Sequence, residues 1–273
     1  MGKRSVTEAA ALLAQARRVV VFTGAGVSAE SGVPTFRDAL TGLWHSFDAQ
    51  RLATPAAFRD DPALVWGWYE WRRAIVGRAR PNAAHVAVAA IEARVPGAVV
   101  VTQNVDDLHE RAGSVAPIHL HGSLFAPRCS ACDRPAPTSV EVPREPSDGR
   151  RLAPPGCASC GGLVRPGVVW FGEALPSAAL EAAVEAASTC ELLLTVGTSG
   201  LVYPAAEIPR VAARCGATVL QVNPQETPLD AVAGVNLRGP AAQVLPALAR
   251  AAWGDGGTHG LDPEVTGPAA DQV

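Results

Sequence analysis

Residues 19–26 read Val-Val-Val-Phe-Thr-Gly-Ala-Gly, a run of apolar and mostly β-branched side chains that ends in glycines. Such a run predicts a strand covered on both faces, as in a parallel sheet. Gly24 and Gly26 let the chain turn sharply and approach a ligand without a Cβ in the way. Phosphate oxygens would then meet free N–H groups at the start of the next helix. We therefore predict a strand followed by a pyrophosphate-binding turn.

The turn departs from the usual dinucleotide-binding fingerprint. Ala29 stands in place of the third glycine of the fingerprint. The acidic residue expected at the end of a second strand, about 20 residues later, is also missing. Residues 31–37, Ser-Gly-Val-Pro-Thr-Phe-Arg, form a second loop signal where a dinucleotide-binding unit would continue its helix. A tight turn that binds no ligand is therefore the alternative for this fragment alone.

Composition narrows the class of protein. The chain of 273 residues is 48% hydrophobic and has a net charge of -3. A chain of this length and composition can bury the core of one large domain, or of one domain with a small insert. It lacks the excess of basic residues that binding to nucleic acid requires. Residues 1–5 lead into an amphipathic helical pattern, and no apolar run reaches the roughly 18 residues of a membrane span. We expect a cytoplasmic protein that binds neither nucleic acid nor membranes.

Four of the 6 cysteines form two C-x-x-C pairs, Cys129 with Cys132 and Cys157 with Cys160. Two such pairs, a few tens of residues apart, can place four thiolates in the closed tetrahedral geometry of a structural Zn²⁺ site. Residues 134–151 are rich in Pro and charge and cannot form a core, so a metal would hold this lobe together. Redox-active pairs or disulfides are the alternatives. The remaining cysteines lie in apolar contexts and are expected to be buried, unreactive thiols: Cys190 and Cys215.

Apolar runs at 19–23, 98–102, 192–196 and 218–222 predict strands, with helical patterns between them. This alternation predicts an α/β fold with a parallel sheet flanked by helices. Because ligands of open parallel sheets bind beyond the carboxyl ends of the strands, we expect the segments that follow the runs to converge on one crevice. Unrelated loops are the alternative. These segments are polar or rich in glycine: 24–26, 103–106, 197–200 and 223–225.

The predicted architecture is therefore a Rossmann-like parallel sheet flanked by helices, with a small zinc-binding insert domain. The Rossmann-like domain would comprise residues 1–122 and 165–253, and the zinc-binding module residues 123–164. The helical part of the small domain is expected at about 38–80. Residues 254–273 are rich in Gly, Pro and Asp, which predicts a flexible tail.

Longer motifs surround the predicted crevice. Residues 24–37 read Gly-Ala-Gly-Val-Ser-Ala-Glu-Ser-Gly-Val-Pro-Thr-Phe-Arg, residues 102–109 read Thr-Gln-Asn-Val-Asp-Asp-Leu-His, and residues 118–123 read Ile-His-Leu-His-Gly-Ser. Together they resemble the motifs of the sirtuin family, the NAD-dependent protein lysine deacylases. The resemblance covers residues 19–248 and is greatest to the bacterial subclass that removes succinyl and malonyl groups.

The resemblance implies NAD as a co-substrate, one structural zinc ion and a catalytic histidine. His121 would be the base that takes a proton from a ribose hydroxyl, a task suited to a group that titrates near neutral pH. Without the motif, His121 would be interpreted as a structural hydrogen-bonding residue. The residues implied in NAD binding are Gly24, Ala25, Gly26, Glu30, Thr35, Phe36, Arg37, Gln103, Asn104, Val105, Asp106, Gly197, Thr198, Ser199, Asn223, Pro224, Gln225 and Ala241.

The family also implies roles within this set. The glycine turn would hold the pyrophosphate, and Phe36 and Arg37 would lie in a loop over the reacting ribose. Residues 103–106 would line the nicotinamide and ribose pocket, residues 197–199 the phosphates, and residues 223–225 the adenosine. In the family's reaction the acyl-lysine oxygen attacks C1′ of the nicotinamide ribose, and the products are nicotinamide, free lysine and O-acyl-ADP-ribose.

Residues 168–173 resemble the family segment that pairs with the substrate backbone as an added strand. Burial of this apolar run in the core is the alternative. The substrate-binding residues implied there are Val168, Val169, Trp170, Phe171, Gly172 and Glu173.

Tyr69 and Arg72 would determine which acyl group is removed. They lie three residues apart on a predicted helix and share a face, so a hydroxyl and a guanidinium could hold one carboxylate. This Tyr-x-x-Arg pair resembles that of the desuccinylase subclass, and Thr35 replaces the Asp of many deacetylases. We predict removal of succinyl and malonyl groups with weaker deacetylation. A solvated surface arginine is the alternative.

His119 departs from the family pattern, in which this position is often acidic. In an extended segment His119 and His121 share a face, so a protonated His119 would lower the pKa of His121. A solvated His119 without this effect is the alternative.

Two other functions would use the same features: a mono-ADP-ribosyltransferase on the same NAD pocket, and a non-catalytic NAD-binding interaction protein. The second would be expected to have degraded motifs, whereas His121, Asn104, Asp106 and both C-x-x-C pairs are intact. We expect a monomer that acts on acylated lysine side chains of proteins.

Overall fold

The computed structural model describes residues 3–34, 49–137 and 151–254. Helices in these residues are α1 (Lys3–Gln15), α2 (Ala49–Leu52), α3 (Pro55–Asp60), α4 (Pro62–Arg78), α5 (Ala83–Arg94), α6 (Leu108–Arg111), α7 (Ser177–Thr189), α8 (Ile208–Arg214) and α9 (Ala241–Trp253). Strands are β1 (Arg18–Thr23), β2 (Gly97–Thr102), β3 (Ile118–His119), β4 (Gly122–Cys129), β5 (Val164–Val168), β6 (Leu192–Val196), β7 (Thr218–Val222) and β8 (Val235–Leu237). Of the helices described, none combines the length and the apolar character that a membrane span requires.

Within the described residues, one parallel sheet has the strand order β3-β2-β1-β6-β7-β8. The predicted strands are confirmed, each to within one residue at either end, as β1, β2, β6 and β7. Val19 of β1 pairs with Ala98 of β2 on one side and with Leu192 of β6 on the other. From β1 the chain continues to β2 and β3 on one side of the sheet, and from β6 it continues to β7 and β8 on the other. A ligand crevice is expected at such a reversal, at the carboxyl ends of β1 and β6.

Both faces of β1 are buried, as its apolar run predicts. Val19 and Val21 join the core formed with α1, α5 and α9, whereas Val20 and Phe22 join the core beneath α7 and α8. None of the four is more than 1% exposed. Full burial of such a side chain contributes about 1.5–3 kcal/mol, so β1 provides a rigid base for the turn that follows it.

A second hydrophobic core joins α2, α3 and α4 to the antiparallel hairpin of β4 with β5. We call these elements the small module. Its helices α3 and α4 each begin with a capping side chain followed by proline, at residues 54–55 and 61–62. The core of the module includes Phe58, Trp68 and Trp170. These aromatic side chains join the helices to the hairpin.

The hairpin carries both C-x-x-C pairs at one end. Cys129, the last residue of β4, lies opposite Val164, the first residue of β5. The pairing continues to Val168, beyond the predicted insert at 123–164, and the domain division stays a prediction. Residues 38–48 of the predicted helical region and 255–273 of the predicted tail lie outside the described residues.

Candidate functional site

Backbone hydrogen bonds bring the strand-end turns together. The Gly24 N–H donates to Val196 O over 2.9 Å, and the Gly26 N–H donates to Gly197 O over 2.8 Å. The Gly197 N–H in turn donates to Val222 O over 3.0 Å. The turns after β1 and β6 are therefore attached to each other and to the end of β7.

Thr198 links two more of the predicted segments. Its hydroxyl accepts from Gln103 Nε2 over 2.8 Å, and its carbonyl accepts from Asn223 Nδ2 over 2.9 Å. The four segments therefore meet, as expected, and their role as one ligand-binding crevice stays a prediction. The other predicted residues of these segments continue the same loops: Ala25, Val105, Ser199, Pro224 and Gln225.

Gly24 and Gly26 are required by packing between loops. A Cβ on Gly24 would lie 2.8 Å from Thr198 Cα, and one on Gly26 would lie 2.7 Å from Gly197 O. The neighbouring loop thus occupies the space that a Cβ would take, and contact of this turn with phosphate stays a prediction. The segment after the turn is a short 3-10 helix, residues 25–27, and not the start of a long helix.

Glu30 and Ala241 meet at the start of α9. The Glu30 carboxylate accepts a hydrogen bond of 2.8 Å from the N–H of Ala242, and Ala241 is the buried first residue of the helix. A carboxylate at this helix end is favoured by the helix dipole. The carboxylate of Glu30 therefore has a structural partner, and its role toward NAD stays a prediction.

His121 lies in the turn between β3 and β4. Its Nδ1 is 2.8 Å from Gln103 O, and because a carbonyl only accepts, Nδ1 carries the proton. Nε2 is then the basic nitrogen. Burial lowers the pKa of His121, partly offset by the bond to Gln103, so the ring is neutral at neutral pH. A neutral imidazole with an oriented Nε2 can accept a proton.

Asn104 and Asp106 are joined through a residue that the sequence did not single out, Ser28. Asn104 Nδ2 donates to Ser28 Oγ over 3.1 Å, and Ser28 Oγ donates to Asp106 Oδ2 over 3.0 Å. All three side chains are buried. Burial raises the pKa of Asp106, although bonds from Leu108 and Ser28 favour its charged form.

One buried histidine, His85, contacts this network, and a second, His109, packs against the His85 ring at 5.0 Å between ring centroids. His85 Nε2 lies 3.3 Å from Ser28 Oγ, and its Nδ1 accepts from the Asn82 N–H, so the ring is neutral. His109 Nε2 lies 2.9 Å from Thr23 Oγ1. Sequence reasoning missed His85. Its position three residues after Asn82, whose side chain caps α5, was the available signal.

His119 does not act on His121 as we expected. His119 bonds to Glu110 Oε1 over 2.7 Å, and the lowered pKa of His121 is caused by burial. The hypothesis that a charged His119 lowers the pKa of His121 is therefore wrong about the cause of that shift. His119 is also not freely solvated, since both ring nitrogens have partners.

The substrate segment is partly core and partly exposed. Val168 and Trp170 are buried, and the Val169 N–H donates to His121 O over 2.9 Å. Phe171 and Gly172 are exposed beside them. The segment thus passes directly beside the predicted base.

An ion pair fixes the shape of that segment. The Arg165 guanidinium lies over the Trp170 ring, 3.4 Å from its centroid, and binds both oxygens of Glu173 at 2.6 and 2.8 Å. Glu173 also accepts from the Trp170 N–H over 2.9 Å. Its carboxylate therefore closes the turn of its own chain.

Tyr69 and Arg72 both lie on α4 but have different surroundings. Arg72 lines a cavity with Trp68, over whose ring its guanidinium lies at 5.1 Å. Tyr69 Oη accepts from Trp170 Nε1 over 3.0 Å, and burial raises the pKa of Tyr69 to about 12. Tyr69 lines a second cavity, with Trp66 and Glu70 among its neighbours, but like Arg72 it contacts the Trp68 ring, at 4.6 Å between ring centroids. The cavity beside Arg72 is lined by Val33, Pro34, Ala49, Trp68, Trp71, Arg72, Ile75 and Val76.

The four paired cysteines form a cluster that fits one zinc ion. Their Sγ atoms all lie within 4.8 Å of one another. The N–H groups of Cys132 and Ala131 point at Cys129 Sγ and lower the pKa of that thiol to about 6. Thiolate ligands and N–H···S bonds of this kind suit a closed Zn²⁺ site.

Cys190 and Cys215 differ from each other. Cys190 is buried, as expected, and burial raises its pKa to about 11. The expectation was wrong for Cys215, which is exposed because it ends α8 just before a glycine turn.

Of the predicted NAD-binding residues, Thr35, Phe36 and Arg37 lie outside the described residues.

Comparisons with known proteins agree with this geometry. Residues 24–204 match the Sir2 family. The chain is 62% identical, over 89% of its length and 96% of the relative, to an NAD-dependent protein deacylase of Methylococcus capsulatus. It is 60% identical, over 92% of its length and 99% of the relative, to NAD-dependent protein deacylase 1 of Pseudomonas aeruginosa. A crystal structure of a Sir2 homologue with NAD superimposes with a TM-score of 0.82 at 44% identity, covering 89% of this chain and 92% of that one.

Proposed function

The chain belongs to the Sir2 family and is an NAD-dependent protein deacylase, and from that premise we propose that it removes succinyl and malonyl groups from protein lysines, with weaker deacetylation. The observation that carries this proposal is the guanidinium of Arg72 in the wall of an otherwise mainly apolar cavity. An acetyl group offers this cation no partner. A succinyl or malonyl group brings a carboxylate.

The surroundings of Arg72 support recognition of a carboxylate. Trp68 and Trp71 contribute apolar surface to the cavity wall, so an ion pair there would be screened less than at the surface. Tyr69 accepts from Trp170 and remains protonated at neutral pH, so its own O–H can be donated to an acyl oxygen. Arg72 would supply the charge and Tyr69 a hydrogen bond.

We propose that the strand-end crevice binds NAD and that His121 is the base. The turn after β1 and Thr198 would contact the phosphates, and Asn104 and Asp106 would contact the nicotinamide riboside. His121, neutral and with its Nδ1 proton held by Gln103 O, would take a proton from a ribose hydroxyl at Nε2. The products would be nicotinamide, free lysine and O-acyl-ADP-ribose.

The remaining assignments are proposals of the same kind. Residues 168–173 would pair with the backbone of the acylated peptide, with Phe171 and Gly172 exposed for that contact. The four paired cysteines hold one structural zinc ion, which would fix the hairpin that carries this segment. We expect a cytoplasmic monomer, and a net charge of -3 favours protein over nucleic acid as its substrate.

Matched acetyl- and succinyl-lysine peptides test the proposal, with NAD present and nicotinamide release followed. Arg72→Met should lower kcat/KM on the succinyl peptide roughly 10- to 100-fold, because it removes a charge-assisted hydrogen bond. Activity on the acetyl peptide should change little. Arg78→Met is the control, since Arg78 is exposed at the end of the same helix and should leave both activities unchanged. An equal loss on both peptides in Arg72→Met would show that Arg72 does not select the acyl group.

A further inference from the structure

Two histidines bind successive carbonyl groups of the loop after β2. His121 Nδ1 is 2.8 Å from Gln103 O, and His119 Nδ1 is 3.0 Å from Asn104 O. Because carbonyls only accept, each ring donates from Nδ1. The two rings therefore fix the two peptide groups with which this loop begins.

His119 has a second partner that His121 lacks among the described residues. Its Nε2 is 2.7 Å from Glu110 Oε1 on α6. A carboxylate also only accepts, so His119 donates from both nitrogens, and an imidazole with two N–H groups is a cation. The side chains of His119 and Glu110 are 17% and 41% exposed, so the pair is partly shielded from water.

The charges around His119 agree with this assignment. Burial by itself lowers the pKa of His119, but the hydrogen bond and the charge of Glu110 outweigh it, and that pKa is raised. Asp106 also favours the charged ring, whereas His109 is buried and neutral. The bond to His119 in turn helps to lower the pKa of Glu110, against the effect of burial.

We propose that His119, as a cation, is a positioning residue that ties together the two ends of residues 104–110 and thereby holds Gln103 O where it orients His121. This inference rests on the proposed role of His121 as the base. His119 itself is anchored, because it pairs with Thr102 at the edge of the sheet and the next N–H, that of Leu120, donates to Thr102 O.

The segment that His119 would hold at both ends, residues 104–110, contains residues proposed to contact NAD. The first contact of His119, Asn104, donates through its side chain to Ser28, and Asp106 accepts from the same hydroxyl. The second contact of His119, Glu110, lies on the short helix that follows. If the ring loses its charge, it can donate to only one of its two partners. The loop is then released at one end. The peptide group that orients His121 keeps the hydrogen bond of its N–H to Thr102 Oγ1, so it is held less firmly but is not freed.

The pH profile of kcat/KM separates this role from a merely structural one. Because His121 must be neutral, kcat/KM should fall at acid pH, which is the acid limb of the profile. Because His119 must be charged, kcat/KM should also fall at alkaline pH, which is the alkaline limb. Glu110→Gln removes the charge that raises the pKa of His119, so it should move the alkaline limb down by about one pH unit and leave the acid limb in place.

Asp107→Asn is the matched control. Asp107 is a neighbouring carboxylate that pairs with Arg111 at 3.5 Å, and its loss should leave the alkaline limb where it is. His119→Gln is neutral and carries both N–H groups on one nitrogen, so it cannot donate in the two directions in which the imidazolium ring donates. It should lower the maximal kcat/KM about tenfold and remove the dependence on Glu110.

His121→Gln tells the two failures apart. If His121→Gln retains full deacylation, the proposed function of His121 is wrong. If His121→Gln is inactive but the alkaline limb of Glu110→Gln coincides with that of the unaltered protein, the positioning role of His119 is wrong. Thermal unfolding of each variant establishes that it is folded at the assay temperature.

Discussion

The carboxyl edge of the sheet and the zinc-binding end of the hairpin hold their loops by different means. At the sheet edge, the turn after β1 follows a strand whose residues 19–22 are buried on both faces. In residues 129–137 and 151–163, the only buried side chains are Cys129 and Cys157. Apolar burial can therefore hold the first region, whereas the second depends on the bonds of its thiolates to a metal.

Loss of one zinc ligand should give the largest difference between the two regions. We expect Cys132→Ser to release zinc and to expose the amides of the hairpin end to hydrogen exchange, while the amides of β1 stay protected. Structural zinc binding contributes roughly 10–16 kcal/mol in small peptides, so the local loss should exceed about 4 kcal/mol. Zinc content and residue-resolved hydrogen exchange measure both effects.

The free thiol of Cys215 provides the control for this substitution. Cys215 is exposed and lies outside the cysteine cluster. The Cys215→Ser variant should therefore retain zinc, and its amides should keep their normal protection from hydrogen exchange. If Cys132→Ser weakened β1 as much as the hairpin end, the two regions would unfold as one unit and the comparison would be broken.

The same difference explains how much of the fold could be predicted. The four inner strands were predicted to within one residue because their apolar runs are long and buried on both faces. β3 and β8 have only 2 and 3 residues, too few for a periodic signal. β4 and β5 contain Pro127 and Pro166, which argue against strands when read from sequence.

Prediction of the site followed a similar rule. The zinc ligands and the strand-end segments were predictable because their spacing or their place after a strand carries the signal. The Ser28 network and the bond between His119 and Glu110 were not, since they join residues that are distant along the chain or ambiguous in role. The packing of Thr198 against Gly24 was not predictable, because a missing Cβ does not reveal what takes its place.

Acid should weaken the sheet edge through its buried histidines. His85 and His109 are 0% and 1% exposed, and burial lowers the pKa of His85 to about 4 and that of His109 to about 3. In the unfolded chain both titrate near 6.5. The unfolded state therefore binds more protons below pH 6.5, and the stability present above that pH is lost progressively as the pH falls toward the folded pKa values.

The expected size of this loss is about 2 kcal/mol for each histidine at pH 5. Asp106 and His119 act in the opposite direction, because their raised pKa values let the folded state bind protons, whereas the lowered pKa of His121 adds to the loss. Urea unfolding at pH 7.5 and pH 5.0, with zinc present, should thus show a net decrease of about 2–4 kcal/mol in the free energy of unfolding. An unchanged or higher value at pH 5.0 would mean that the two rings are not kept neutral by the fold.

Replacing glycine by alanine at one position in each region compares how much stability each region loses when one methyl group is added. In Gly26→Ala the new Cβ would lie 2.7 Å from Gly197 O and 2.8 Å from Gly197 Cα, backbone atoms that cannot rotate away. The forced shift should cost about 1–3 kcal/mol and raise KM for NAD. At the zinc-binding end, the nearest atom to a Cβ on Gly156 is 4.0 Å away, so Gly156→Ala should change stability by less than about 0.5 kcal/mol. If the two variants lost equal stability, close contact between the turns after β1 and β6 would not be what makes the sheet edge rigid, and the burial of β1 alone would have to account for it.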